Sequence, residues 1–150
     1  MSLPYTFTNG TVADADEVNA NFDYVEIGHF GGNNNGTSIA PNTTRYISPN
    51  GGTPNATEAN QQIVMTGSGI LRNFYINVNS NDVDATSIFT VRKNSTNTAL
   101  TVSYEASATG SQNDITHSGV YIAGDKISIA GSMGATGGTG MNGISWGLDI

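Results

Sequence analysis

Residues 131–143 read GSMGATGGTGMNG, with glycine at positions 131, 134, 137, 140 and 143. The stretch admits three readings: a dinucleotide-binding loop, a scrap of collagen-like triple helix, or a permissive loop between two strands. Gly138, Gly140 and Gly143 satisfy G-x-G-x-x-G. That fingerprint works only after a strand and at the start of a helix, where the pyrophosphate meets the free N–H groups of the first turn. Here the next residues are ISWGLDI, in which Ile144, Trp146, Leu148 and Ile150 alternate with Ser145, Gly147 and Asp149. That is a strand with one buried face. No lysine follows the glycines, which argues against a phosphate-binding P-loop. No proline accompanies them, which argues against a triple helix. The stretch reads as an exposed loop joining the last two strands, with Gly134, Gly137, Gly140 and Met141 as a candidate contact surface.

Working outward, the same alternation recurs. GILRNFYINVN (69–79) places Phe74, Ile76 and Val78 on one face, and SIFTVRKN (87–94) does the same for Phe89 and Val91. ALTVSYEA (99–106) aligns Leu100, Val102 and Tyr104. RYISP, QQIVMTG and the weaker QNDITHS, with Ile115, add further segments. GVYIAGD and KISIAG supply Val120, Ile122, Ile127 and Ile129. Turn-formers separate these runs, giving about eight short antiparallel strands after residue 43. The expected fold is all-β: an antiparallel jelly-roll β-sandwich preceded by an N-terminal arm with one short helix. Its domains are the arm (1–30), a Gly/Asn-rich linker (31–42) and the jelly roll (43–150).

The arm contains DADEVNANFDYVEI, residues 14–27. Asp14 is a candidate N-cap with Glu17 at capping-box spacing. Val18, Phe22 and Val25 form one helical stripe, and Gly28 ends it. A helix this short, with five acidic residues and no basic partner, must dock on something to persist in water.

Composition narrows the function. The chain has 150 residues, 37% hydrophobic and 11% charged, with a net charge of −7. Asn, Thr, Ser and Gly replace the usual Lys and Glu on outward strand positions such as Asn77, Asn79, Thr90, Thr101, Ser103, Ser128 and Ser145. Such a surface is cheaply desolvated against a copy of itself, which points to a homo-oligomer. Only five basic residues, mostly scattered, argue against nucleic acid as partner. The absence of cysteine excludes disulfides and thiolate metal sites. MSLPYTFTNG lacks the features of a secretory signal, and no apolar run has membrane-spanning length, so a soluble protein without a membrane partner is expected. Asp82 and Asp84 lack the frame of a calcium loop, and His29 and His117 lack ligand-spaced partners. No catalytic residue, metal or cofactor is expected, and the chain does not read as an enzyme.

The segment YTFTNGTVADADEVNANFDYV (5–25) resembles one found near the start of tailed-bacteriophage virion proteins, where a capped short helix precedes a β module. LRNFYINVNSNDVDATSIFTVRKNSTNTALTVSYEA, with GVYIAGDKISI, is similar to the TNF/C1q-like jelly rolls of phage decoration proteins and fibre heads. The resemblance implies a homotrimer located in the virion and assembled in the host cytoplasm. It implies a capsid decoration (cement) protein that stabilises the shell by binding the major capsid protein or another virion protein. Leu3, Tyr5, Phe7, Val18, Phe22 and Val25 would then reach the shell or the threefold axis. The alternative is a tail-fibre or head-fibre tip module that binds a host receptor or glycan.

Overall fold

The clearest alternation in the sequence becomes the longest strand. Along Gly69–Val83, Leu71, Phe74, Ile76, Val78 and Val83 are buried while Ile70, Arg72, Tyr75 and Asn79 face out. The structure, a computed structural model, describes residue 18 and residues 28–150. Val18 is helical and half-buried. The rest of the helix expected over 14–27, and Leu3, Tyr5, Phe7, Phe22 and Val25, lie outside the described residues.

Nine strands follow in order: β1 (His29–Asn33), β2 (Thr44–Ile47), β3 (Ile63–Val64), β4 (Gly69–Val83), β5 (Ser87–Lys93), β6 (Thr96–Tyr104), β7 (Gly110–Tyr121), β8 (Lys126–Ser132) and β9 (Gly137–Asp149). They form two antiparallel sheets, ordered β1-β9-β4-β7 and β2-β8-β5-β6, with β3 also on β8. The pairs are nested: β1 with β9, β2 and β3 with β8, β4 with β7, and β5 with β6. The protein is an all-β antiparallel sandwich. Its core is drawn from the inward faces of both sheets, including Phe74, Ile76, Phe89, Val91, Leu100, Tyr104, Ile127, Ile129, Ile144 and Leu148. Each fully buried side chain of this size contributes about 1.5–3 kcal/mol of transfer free energy.

Tyr104 shows how the core handles a polar group. Its hydroxyl, on a side chain buried against Phe89, shares its one proton between the carbonyls of Ile76 at 2.8 Å and Gly110 at 2.7 Å, tying the two sheets together. Burial pushes its pKa up to about 12. A tyrosine in the unfolded chain ionises near pH ~10. The stabilisation is therefore complete below that pH and is lost as pH rises towards 12. Tyr104→Phe is expected to flatten this alkaline loss, as read from urea midpoints across that interval.

Three expectations are corrected. The stretch 31–42 is not a linker. Residues 31–33 belong to β1, Asn34 is buried, and Ile39 is fully buried and bridged to Met141. The glycine-rich β1 can pair because β9 offers a complete row of partners, from His29↔Asp149 to Asn33↔Ser145. Val120 and Ile122 are not core residues but are 64% and 60% exposed. Tyr121 takes the inward position, its ring over Gly69, where a Cβ would fall 2.5 Å from the phenol oxygen. Ile115 is also exposed, because β7 is interrupted where it passes Asn73.

Asp114 holds that interruption together. The register of β4 on β7 jumps between Arg72↔Ser118 and Phe74↔Asp114, so three residues of β7 face one of β4. The Asp114 carboxylate accepts from the backbone N–H groups of Thr101, Thr116 and His117 and from the Thr116 hydroxyl. The His117 ring nitrogen lies 2.9 Å away. Burial alone would raise its pKa, but these hydrogen bonds outweigh it and hold the carboxyl well below the usual range. Asp114→Ala is expected to cost about 2–3 kcal/mol by denaturant unfolding, because several partly buried donors lose one shared charged acceptor. The depressed pKa stabilises the fold above about pH 4 and less as pH falls below it, so the variant should also be less sensitive to acid.

Candidate functional site

Because Ile144, Trp146 and Leu148 point inward along β9, Ser145, Gly147 and Asp149 point outward. Their neighbours in register extend this surface. Gly31 lies opposite Gly147 and Asn33 opposite Ser145 on β1. Tyr75 and Asn77 lie beside them on β4, followed by Asn113 and Ser111 on β7. The outer face of the β1-β9-β4-β7 sheet is thus floored by glycine and serine. Tyr75, 46% exposed, is a large apolar side chain within it, and Ile70 and Val120, 47% and 64% exposed, face out at one end of β4 and β7.

Two shallow depressions mark this face. One, about 140 Å³, is lined by Tyr75, Asn77, Ser111, Ser145 and Gly147. The other, about 240 Å³, is lined by Asn33, Asn34, Asn79, Gly143 and Ser145. Their polar groups are amides and hydroxyls that already bond one another: Asn77 Nδ2 donates to Asn79 Oδ1 at 2.9 Å, and the Ser111 hydroxyl to Asn77 Oδ1 at 3.1 Å. Charge on the described part of the face lies at its two ends, with Asp82 at one, where it accepts from the Thr139 hydroxyl at 2.6 Å, and a small cluster at the other. There His29 sits 3.4 Å from Asp149, Asn73 donates to Asp149 at 2.8 Å, and Arg72 lies next in the row.

The opposite sheet is covered rather than bare. The β2–β3 connection carries a 3-10 turn, Glu58–Asn60, that lays Glu58 over β5 and β8. Arg92 grips its carboxylate with two bonds, of 2.8 and 3.1 Å, and the Ser128 hydroxyl donates a third at 2.8 Å. Burial opposes ionisation of Glu58, but the Arg92 and Ser128 contacts outweigh it and lower its pKa. Arg92 also lies over the Tyr46 ring at 5.5 Å. This loop reaches across the sandwich too, because the Trp146 indole donates to the Pro49 carbonyl at 3.1 Å. The two outer faces therefore differ: one is closed by an ion pair, and the other is open, flat and nearly chargeless.

The glycine contact loop expected from sequence does not exist as such. Gly137, Gly140 and Met141 belong to β9, and only residues 133–136 connect it to β8. Met141 is fully buried and Gly140 is buried beside it. Gly134 packs on Ala85, and its N–H donates to the Ser87 hydroxyl oxygen at 3.1 Å. A positive φ at Gly140 and the close passage of Ile39 explain why this position is glycine. Of the positions read as outward-facing, Asn77, Asn79 and Ser145 lie on the open face and Thr101 and Ser103 are exposed on β6, but Thr90 and Ser128 are buried, Ser128 beneath Glu58. Tyr75 and Gly31 were missed as members of the open face. Their signal was the register with β9, which only the paired sheet reveals. Among the described residues, no cluster of three or more His, Asp or Glu side chains is arranged to hold a metal ion. No protein-family model matches the chain, and no curated protein is significantly similar to it.

Proposed function

We propose that this chain is a structural protein of a tailed-phage virion, a homotrimeric decoration protein that binds the outside of the capsid. The observation that carries the reading is the open outer face of the β1-β9-β4-β7 sheet. It lacks the lysine and glutamate with which soluble sheets discourage association, and desolvating its amides and glycines against a copy costs little. The nested pairing supports a jelly roll, since that architecture is a long hairpin of strands folded over into two sheets. Counting β2 and β3 as one position, first pairs with last, second with seventh, third with sixth and fourth with fifth. The resemblance of residues 5–25 and about 70–130 to phage virion proteins supplies the biological setting. Leu3, Tyr5 and Phe7 would make the contact with the shell, which gains stability by mass action as each trimer binds.

The test has three parts. Light scattering of the purified chain is expected to give the mass of three copies, and a single-chain mass at micromolar concentration overturns the trimer. Ser145→Arg, which places a charge at the centre of the face, is expected to weaken association roughly 100-fold, equivalent to ~3 kcal/mol for an unpaired charge at an interface. Its thermal unfolding as a monomer should be little changed. Imaging of intact particles then locates the chain. High copy number over the shell supports decoration, whereas a few copies at a tail or fibre end favour a receptor-binding tip.

A further inference from the structure

The connection between β2 and β3 lies over the β2-β8-β5-β6 sheet without adding to the core. From Asn50 to Gln62 no residue is fully buried, and Pro54, Ala56 and Ala59 reach no core position. Its two ends are fixed. Pro49 is buried and its carbonyl accepts from the Trp146 indole at 3.1 Å, while Ile63 pairs with Ile127 on β8. Between those ends the backbone is tied at two places. Gly52 N–H donates to Asn33 O at 3.0 Å, and Asn55 and Tyr46 exchange N–H···O bonds of 2.9 and 2.8 Å. Side chains add Ser48 N–H to Gln61 Oε1 and Gln62 Nε2 to the Ser95 hydroxyl, both at 3.0 Å.

The strongest tie is Glu58. Arg92 holds both oxygens of its carboxylate, and the Ser128 hydroxyl donates to one of them. Among the described residues this is the ion pair in which neither side chain is more than 16% exposed. Ordering the connection costs backbone entropy, and without apolar burial the charge-assisted contact has to offset it. The pair can also part without stranding a charge inside the protein. Arg92 then keeps Asn97 Oδ1, the Ser95 carbonyl and the Tyr46 ring as partners, and both charges gain water. Just inside the Pro49 end, Gly51 and Gly52 have φ of +91° and +123°, and residues so permissive make a hinge.

We infer that residues 50–62 are a hinged cover that lifts as a unit while the sandwich stays folded, with Glu58 as its latch. Lifting it bares Ser128, which is 0% exposed beneath Glu58, together with Arg92 and Tyr46. Arg92 and Ser128 face each other in register on β5 and β8, so the uncovered strip lies on the two central strands of that sheet. The molecule then presents a second open sheet face, on the side opposite the first. The cover is an autoinhibitory contact that keeps this strip from other chains until the latch parts. The latch lies on the sheet opposite the face proposed for self-association, so the two assignments are tested separately.

Hydrogen exchange of the full-length chain in low urea, read residue by residue, tests this. In the unmodified chain the Gly52 and Asn55 amides are expected to exchange through an opening that depends little on urea, because it exposes little surface. The ladder amides of β5 and β8 should wait for urea-dependent global unfolding. Glu58→Gln is expected to speed Gly52 and Asn55 roughly 30-fold, as the loss of a charged acceptor requires, with the urea dependence still shallow. Val78→Ala truncates a core residue on the other sheet. It is expected to speed the ladder amides and leave Gly52 and Asn55 where they were, since the closed and lifted forms lose the same contact. Unchanged exchange at Gly52 and Asn55 in Glu58→Gln overturns the inference by removing the latch. Acceleration of those amides by Val78→Ala to the same degree as the ladder overturns it by showing that the cover opens only with the whole fold.

Discussion

Replacing Gly140 with alanine is expected to destabilise the protein by about 4 kcal/mol, combining backbone strain of ~1–3 kcal/mol with overpacking of ~1–3 kcal/mol. The residue has φ +98°, a conformation that L side chains rarely adopt. A Cβ there would stand 2.1 Å from the Ile39 carbonyl oxygen, 2.8 Å from its carbon and 2.9 Å from Ala40 Cα. All three are backbone atoms and cannot swing aside as a flexible side chain would. They are held in place by the reciprocal bonds between Ile39 and Met141, of 2.9 and 3.0 Å. The strain therefore has to open the bridge that brings the fully buried Ile39 into the core. Gly138→Ala is the matched control. Its nearest neighbour would be Asp82 Cβ at 3.5 Å, an ordinary contact, and its cost should stay within about 0.5 kcal/mol. Urea unfolding of both variants decides the matter. Equal midpoints would mean that residues 34–42 do not pack on β9.

Phe89→Ala is expected to cost about 3–5 kcal/mol, the range for deleting a buried aromatic ring. Phe89 is fully buried on β5 and meets Tyr104 edge-on, with ring centroids 6.1 Å apart and planes at 84°. Its ring also presses on the neighbouring strand, since a Cβ on Gly131 would lie 3.0 Å from Phe89 Cε1. The two positions should therefore couple. Gly131→Ala is expected to destabilise the native chain but to be nearly neutral, or to fill space, in the Phe89→Ala background. A double-mutant cycle in denaturant measures that difference. Additive costs would show that the ring and the glycine are not in contact.

How much of this was legible beforehand varied with the physics of each element. Where one face is buried and the other wet, period-two alternation carries the answer. The apolar inward residues of β4, β5, β6 and the second half of β9, from Ile144, were readable, whereas residues 137–143 of β9 read as a loop and the buried Met141 and Thr90 as exposed. Three consecutive apolar residues carry no such phase. In Val120-Tyr121-Ile122 the sequence does not say which points inward, and packing of Tyr121 over Gly69 decides it. The misreading of residues 31–42 had a different cause. HFGGN has almost no strand propensity, and its pairing partner lies more than a hundred positions away, so nothing local announces β1. Ile39 stood alone among Gly, Asn and Ser, without the repetition that marks a core segment.

The site was legible only in halves. The outward amides of β4 and β9 stood out as unusually free of charge, but a face is a property of register, and Gly31 joins it only through β9. The glycine repeat at 131–143 was misleading because its regular spacing has no single cause. Gly134 and Gly137 pass close to Ala85 and Asp82, Gly140 to Ile39, and Gly143 to Asn79. These are separate steric demands that happen to fall three apart.

The nesting of the strands also sets the order in which the molecule can be completed. β9 lies between β1 and β4, yet it follows every other strand in the chain. A growing polypeptide leaving the ribosome holds β1 and β4 with the edges that β9 will occupy unmatched until β9 emerges. Closure is then a long-range event, of the kind that slows folding and leaves sticky edges open to other molecules. The β1-β9-β4-β7 face exists only once β9 has been inserted between β1 and β4, so any contact made through that face has to wait for β9.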